Sequence, residues 1–216
     1  IIAIFACFVL SFLLGFFIRK YRGIFFAMLN LAFSMILFGI IVKSVSLGST
    51  DGFGIKEITI LGTNSSDGNR LNFNMFMLIV FSSLLSMLIL KKYLYSSAGM
   101  VVEAIRENEI RVEYLGINVA KQIHRTYIIS AILAGLGGAL TLLLIGHITP
   151  EDTAYWTKSG EFVFVAILSG SGNVLAPFIG SLFFEFVRSY ALFYSPDAWQ
   201  IILGTTLLLG IIFLPE

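Results

Sequence analysis

The chain has 216 residues, of which 57% are hydrophobic and only 12% charged, with 21 Phe and a formal net charge of +1. A mean hydropathy of +0.92 lies well outside soluble-domain composition, and neither the net charge nor any basic–aromatic interleaving points to nucleic acid. The lone Cys7 excludes an intramolecular disulfide and a cysteine-built metal cluster.

In chain order, the first apolar run, Ile1 to Ile18, closes on the basic turn "RKYRG", and the second runs from Gly23 to Val42 with Asn30 and Ser34 as its polar interruptions. Runs of this length approach the roughly 20 residues that a bilayer-spanning helix needs. The first run ends in Arg19, Lys20 and Arg22 rather than at a small-residue cleavage site, so it is not a cleavable signal. Ile1 is not an initiator Met and the chain starts and stops beside apolar runs, so truncation at both ends is expected. Lys43 to Asn72 is a polar stretch rich in Ser, Gly, Asn and Asp, expected as a solvent-exposed loop. A third span covers about Phe73 to Leu90 and a fourth covers Thr126 to Gly146. The next apolar run, Phe162 to Leu168, is too short to cross and breaks at "SGSGN". Val174 to Tyr194 and about Trp199 to Leu214 complete the pattern. The expected fold class is all-α, a polytopic transmembrane helical bundle with a broken helix.

Lys and Arg are unevenly shared among the connecting segments. Three lie in the turn after the first span and six between Lys91 and Arg125, against three in the long polar loop and one before Glu161. The positive-inside rule then places residues 91–125 in the cytoplasm. Within them, "VVEAIRENEIRVEYLG" concentrates six charged side chains in the sixteen residues from Val101 to Gly116. Ser96 or Ser97 can cap a helix here and Gly116 can end it in the left-handed conformation. Val101, Ile105, Val112 and Leu115 are expected on one face, Glu103, Arg106, Glu107 and Arg111 off it, and Glu107 with Arg111 as an i,i+4 pair. Mixed acidic and basic charge disfavours adsorption on lipid, so a docking surface for a soluble partner is the expected role.

The run "AIRENEIRVEYLGINVAKQIHRTYIISAILAGLGGAL" resembles the cytoplasmic loop and following helix of branched-chain amino-acid ABC transporter permeases, the Liv-type inner-membrane family and its M-like subunit. "RGIFFAMLNLAFSMILFGI", "TDGFGI" and "IIFLP" fit the same family in the same order. The resemblance implies one permease domain over residues 1–216, with 97–116 a cytoplasmic coupling helix that seats in a cleft of an ATPase subunit. Glu103, Ala104, Arg106, Glu107, Asn108, Glu109 and Gly116 inherit that coupling role. It further implies two ABC ATPase subunits, a second homologous permease, a periplasmic or lipid-anchored substrate-binding protein and a bacterial inner membrane. Arg111 and Glu113 stand where small residues are commoner, which suggests a fit tuned to this chain's own ATPase. Ser169, Ser171 and Ala176 replace glycines usual in the family.

No GxxxxGK[ST] phosphate loop is present, so ATP and Mg are expected in the partner subunits, with no cofactor, metal or catalytic residue in this chain. A helix broken at membrane depth is tolerated only inside protein or along a cavity, and transporters use such ends to meet ligand charges. Ser169, Gly170, Ser171, Gly172 and Asn173 are therefore candidates for a translocation path, with a plain chain reversal at the membrane edge as the alternative. Glu185 and Arg188, three apart in a span, are expected as a structural ion pair with a substrate contact as the alternative. In the fourth span, Ala131 with Gly135 and Ala134 with Gly138 are spaced for close helix packing. An intramembrane serine hydrolase at "SGSG" is disfavoured because no histidine follows the serine and His124 and His147 lie toward opposite membrane edges. A passive channel would not need a coupling helix. Branched-chain or other hydrophobic amino acids are the expected substrates, with urea or short amides the alternative.

Overall fold

The computed structural model describes residues 2–45, 48–55, 68–170, 173–194 and 198–213. It divides into two compact units, Ile1–Tyr155 and Trp156–Glu216. The described residues form an almost wholly helical chain: α1 (Ile2–Ile18), α2 (Ile24–Lys43), α3 (Gly68–Leu94), α4 (Ser97–Tyr114), α5 (Val119–Ile145), α6 (Pro150–Thr153), α7 (Trp156–Ser169), α8 (Ala176–Tyr194) and α9 (Trp199–Phe213). Three of them, α2, α3 and α5, are long and apolar enough to cross a membrane, and α1 is a shorter apolar helix. Large apolar side chains such as Phe5, Phe25, Phe73, Phe81 and Leu88 are exposed along them, as expected where lipid rather than water is the solvent.

In the first unit α5 is the hub. It begins at Val119, about two turns ahead of the apolar run, because Asn118 caps it by accepting from the Lys121 amide at 3.0 Å. The additional turns carry Gln122 and His124, both buried. Gln122 Nε2 donates to the Ala98 carbonyl at 2.8 Å, Thr126 and Tyr93 share a hydrogen bond at 2.9 Å, and Tyr127 donates to Asn30 Oδ1 at 2.9 Å. These bonds tie α5 to α4, α3 and α2, and they give the polar Asn30 of the second apolar run a partner. Its packing on α1 is the most extensive in the molecule.

The small residues of α5 do not all serve that packing. A Cβ at Gly135 would lie 2.5 Å from Cys7 Sγ and 2.9 Å from its Cβ, whereas at Gly137 and Gly138 nothing lies within 4 Å. Close approach therefore holds at Gly135 alone of these three. Gly135→Ala is expected to cost about 1–3 kcal/mol, because the short Cys7 side chain cannot swing aside. Gly138→Ala is expected to stay within about 0.5 kcal/mol. Thermal unfolding of the two variants in the same detergent separates them.

A two-residue antiparallel ladder, β1 (Phe53–Gly54) with β2 (His147–Ile148), pairs Phe53 with Ile148 and Gly54 with His147. The loop after α2 and the loop after α5 thus meet at one end of the unit. At the other end the turn before α2 meets α4 through Arg22 and Glu109. In the second unit α7 and α8 run antiparallel, with Ser169 against Gly180 and Glu161 reaching Arg188, and α9 packs on both.

Candidate functional site

The segment expected as one coupling helix is two helical pieces. Ser96 caps the first, its Oγ accepting from the Gly99 amide at 3.4 Å. Asn108 then leaves helical geometry, at φ −158° and ψ 100°. Its side chain caps the second piece by accepting from the Arg111 amide at 3.1 Å, the local competition that makes Asn a poor interior helix residue. The second piece ends in a Schellman motif. Gly116, at φ 80°, donates to the Glu113 carbonyl at 2.9 Å and Ile117 donates to Val112 at 3.4 Å.

The break changes which residues share a face. Val101 and Ile105 are half-buried and Val112 is 2% exposed, but Leu115 is largely exposed, contrary to the uniform-helix expectation. Beyond the non-helical residue the stripe holds only in part: Val112 still turns inward, whereas Leu115, at the C-cap, does not. The same break prevents the expected Glu107–Arg111 pair, since the two no longer stand one turn apart; no such ion pair forms among the described residues. Ile110 and Tyr114 are exposed with Leu115, Tyr114 at 87%. This apolar set was missed because periodicity assigned Leu115 inward; the Asn in mid-helix was the available signal.

Glu103, Ala104, Arg106, Glu107 and Asn108 are exposed on either side of the half-buried Ile105, and Gly116 is exposed. Glu109 differs. It is half-buried and its Oε1 pairs with Nε of Arg22, from the turn between α1 and α2. Arg22 also reaches Glu113 Oε1 at 3.4 Å. Glu113 is therefore engaged within its own chain.

At the second candidate, α7 ends at Ser169, Gly170 takes φ 71°, and Asn173 opens the turn into α8, its Oδ1 accepting from the Leu175 amide at 3.3 Å. Ser171 and Gly172 lie outside the described residues. With 14 residues, α7 is about 21 Å long, short of a hydrocarbon core of about 30 Å. Ser169 Oγ donates to the Ala166 carbonyl at 3.1 Å, leaving its apolar side to an open cavity of about 610 Å³ lined by Leu168, Ile179, Gly180, Phe183 and Leu209 among others.

Glu185 and Arg188 do not line that cavity. Arg188 Nη1 lies 3.7 Å from Glu185 and 3.6 Å from Glu161, which also holds Lys158 Nζ at 2.8 Å. The expected pair is thus part of a four-residue network whose central carboxylate, Glu161, is on α7. Ser169 and Glu161 are eight residues apart, about 12 Å along the helix, so the two parts of the expected substrate path are separated.

The family model for the branched-chain amino acid transport system permease component matches residues 1–211. The chain is 24% identical to the high-affinity branched-chain amino acid transport system permease protein LivM of Salmonella typhimurium and 23% identical to LivM of Escherichia coli, in each case over 95% of this chain and 53% of the relative. It spans about half the length of these curated relatives, and no solved structure matches it. A match over almost the whole length, carried by a multi-pass apolar helical chain, means that this chain belongs to the branched-chain amino acid transport permease family.

Proposed function

We propose that the chain is the membrane-spanning subunit of a binding-protein-dependent ABC importer and moves branched-chain amino acids. ATP and Mg²⁺ are handled by two separate ATPase subunits, a second homologous permease completes the path, and a periplasmic or lipid-anchored binding protein delivers substrate. Residues 91–125 face the cytoplasm of a bacterial inner membrane. The carrying observation is α4, a capped, kinked segment at the end of the bundle that presents Glu103 to Asn108 to solvent. The apolar lining of the α7–α9 cavity suits a hydrophobic side chain, and its volume falls within the roughly 300–1,000 Å³ of ligand pockets.

Co-purification of the tagged chain from its native membrane tests this reading. Two ATPase subunits and a second permease are expected with the wild type. Glu107→Arg is expected to reduce ATPase recovery or uptake by about tenfold or more, because like-charge juxtaposition at an interface costs several kcal/mol. A chain that comes down alone, or partners indifferent to the reversal, would return the passive-channel reading.

A further inference from the structure

The clasp made by Arg22 connects the segment proposed to meet the ATPase with the turn that joins α1 to α2. Residues 109–114, beyond the break at Asn108, are too few to hold a helix by local hydrogen bonding. Their position is set by what they touch. Val112 is buried, and Glu109 and Glu113 both turn toward Arg22. Two carboxylates four apart on one helical face repel each other, and Glu109 Oε1 has essentially no access to solvent. Arg22 converts that liability into a tie. Arg22 lies between them, with Nε in ion-pair contact with Glu109, Nη2 donating to Glu113 Oε1 at 3.4 Å and Nη1 donating to the Arg19 carbonyl at 3.3 Å.

Further attachments of α4 are at its first piece. Gly99 sits against the backbone of Leu94, and the Ala98 carbonyl receives Gln122 of α5. Each half of α4 is thus fastened to a different part of the first unit. The first half meets α3 and α5 through Gly99 and Ala98, and the second meets the α1–α2 turn through Glu109 and Glu113.

We propose that Arg22 is a positioning residue for coupling: it carries displacement of the α4 segment into the α1–α2 turn, through the ionic clasp on Glu109 and Glu113. This rests on the importer reading above. Push or pull on the exposed stretch from Glu103 to Asn108 reaches α1 through the clasp, and α1 lies along α5 at Cys7–Gly135. Lysine cannot replace Arg22 in this role, because a single ammonium lacks the fork that spans both carboxylates and the carbonyl.

The test uses the complete complex in proteoliposomes, reading leucine uptake and ATP hydrolysis together in wild type, Arg22→Glu, Glu109→Arg with Glu113→Arg, and the combined charge swap. Arg22→Glu is expected to lower uptake per ATP hydrolysed by roughly fivefold or more, the size of an ordinary coupling free energy, while ATPase subunits still co-purify. The combined swap is expected to restore most of the ratio. A residue of purely structural importance would lower both activities in proportion and leave the ratio alone. An unchanged ratio in Arg22→Glu, or a swap that rescues nothing, would overturn the proposal. Should Arg22→Glu fail to assemble, Arg22→Gln removes the charge while keeping a polar side chain and is read by the same ratio. Wild-type complex without nucleotide-dependent uptake would instead sink the importer reading, and the coupling role with it.

Discussion

Removal of the Glu161 carboxylate by Glu161→Ala is expected to cost the α7–α9 unit about 1–3 kcal/mol, because it leaves two half-buried cations without their shared counter-charge. Glu185→Ala is expected to cost less than about 1 kcal/mol. The difference follows from exposure and geometry. The Glu161 side chain is 19% exposed and receives both Lys158 and Arg188, whereas that of Glu185 is 68% exposed and meets Arg188 alone at 3.7 Å. Without Glu161, Arg188 and Lys158 would be left as neighbouring cations with no shared counter-charge. Arg188 has little room to escape, since its Nε is buried without a hydrogen-bond partner among the described residues and its guanidinium lies 5.6 Å from the centre of the Trp199 ring. Unfolding of the purified chain in nanodiscs would measure both variants, and adding Arg188→Leu to Glu161→Ala should recover part of the loss. Equal costs for the two alanine variants would show that the network is not centred on Glu161.

Gly99→Ala is expected to cost about 3 kcal/mol, near the upper end of overpacking penalties, and to lower uptake with it. The α3–α4 corner is built from two linking residues, and Ser96 closes it by bonding the Tyr93 carbonyl at 2.6 Å and accepting from the Gly99 amide. This brings the Gly99 Cα against the Leu94 carbonyl and Cα, where any Cβ would overlap backbone atoms that cannot rotate away. To make room, α4 must swing off α3, which strains both the Gln122–Ala98 bond and the Arg22 clasp. Gly204→Ala, where nothing lies within 4 Å, is the matched control and should be neutral. A Gly99→Ala protein with wild-type melting and uptake would show that the corner adapts without cost.

Most of the helices were legible because each signal is local. Apolar runs about as long as a bilayer crossing set α1, α2, α3 and α5, and Ser96 and Gly116 announced the ends of α4 through capping chemistry that depends on a few adjacent residues. The extension of α5 to Val119 was hidden because Gln122 and His124 read as polar and external, yet both are buried by neighbouring elements. Likewise "AGLGG" reads as a uniform stripe of small residues, and only the path of α1 decides that Gly135 is in contact while Gly137 and Gly138 are open.

The candidate site divides the same way. Composition, charge asymmetry and the resemblance of Ala104 to Gly116 singled out the charged segment proposed above for docking, since charge concentrated in an apolar chain is costly to leave in lipid. The break at Asn108, the burial of Glu109, the use of Glu113 by Arg22 and the central place of Glu161 were decided only in three dimensions. The reason is reach: Arg22 and Glu113 are 91 residues apart in sequence, and Glu161 meets Arg188 across the α7–α8 hairpin. The one-dimensional pattern therefore determined where the long apolar helices run, where charge is concentrated and which family the chain resembles. Which charges are paired, and which glycines are indispensable, depended on elements meeting side by side.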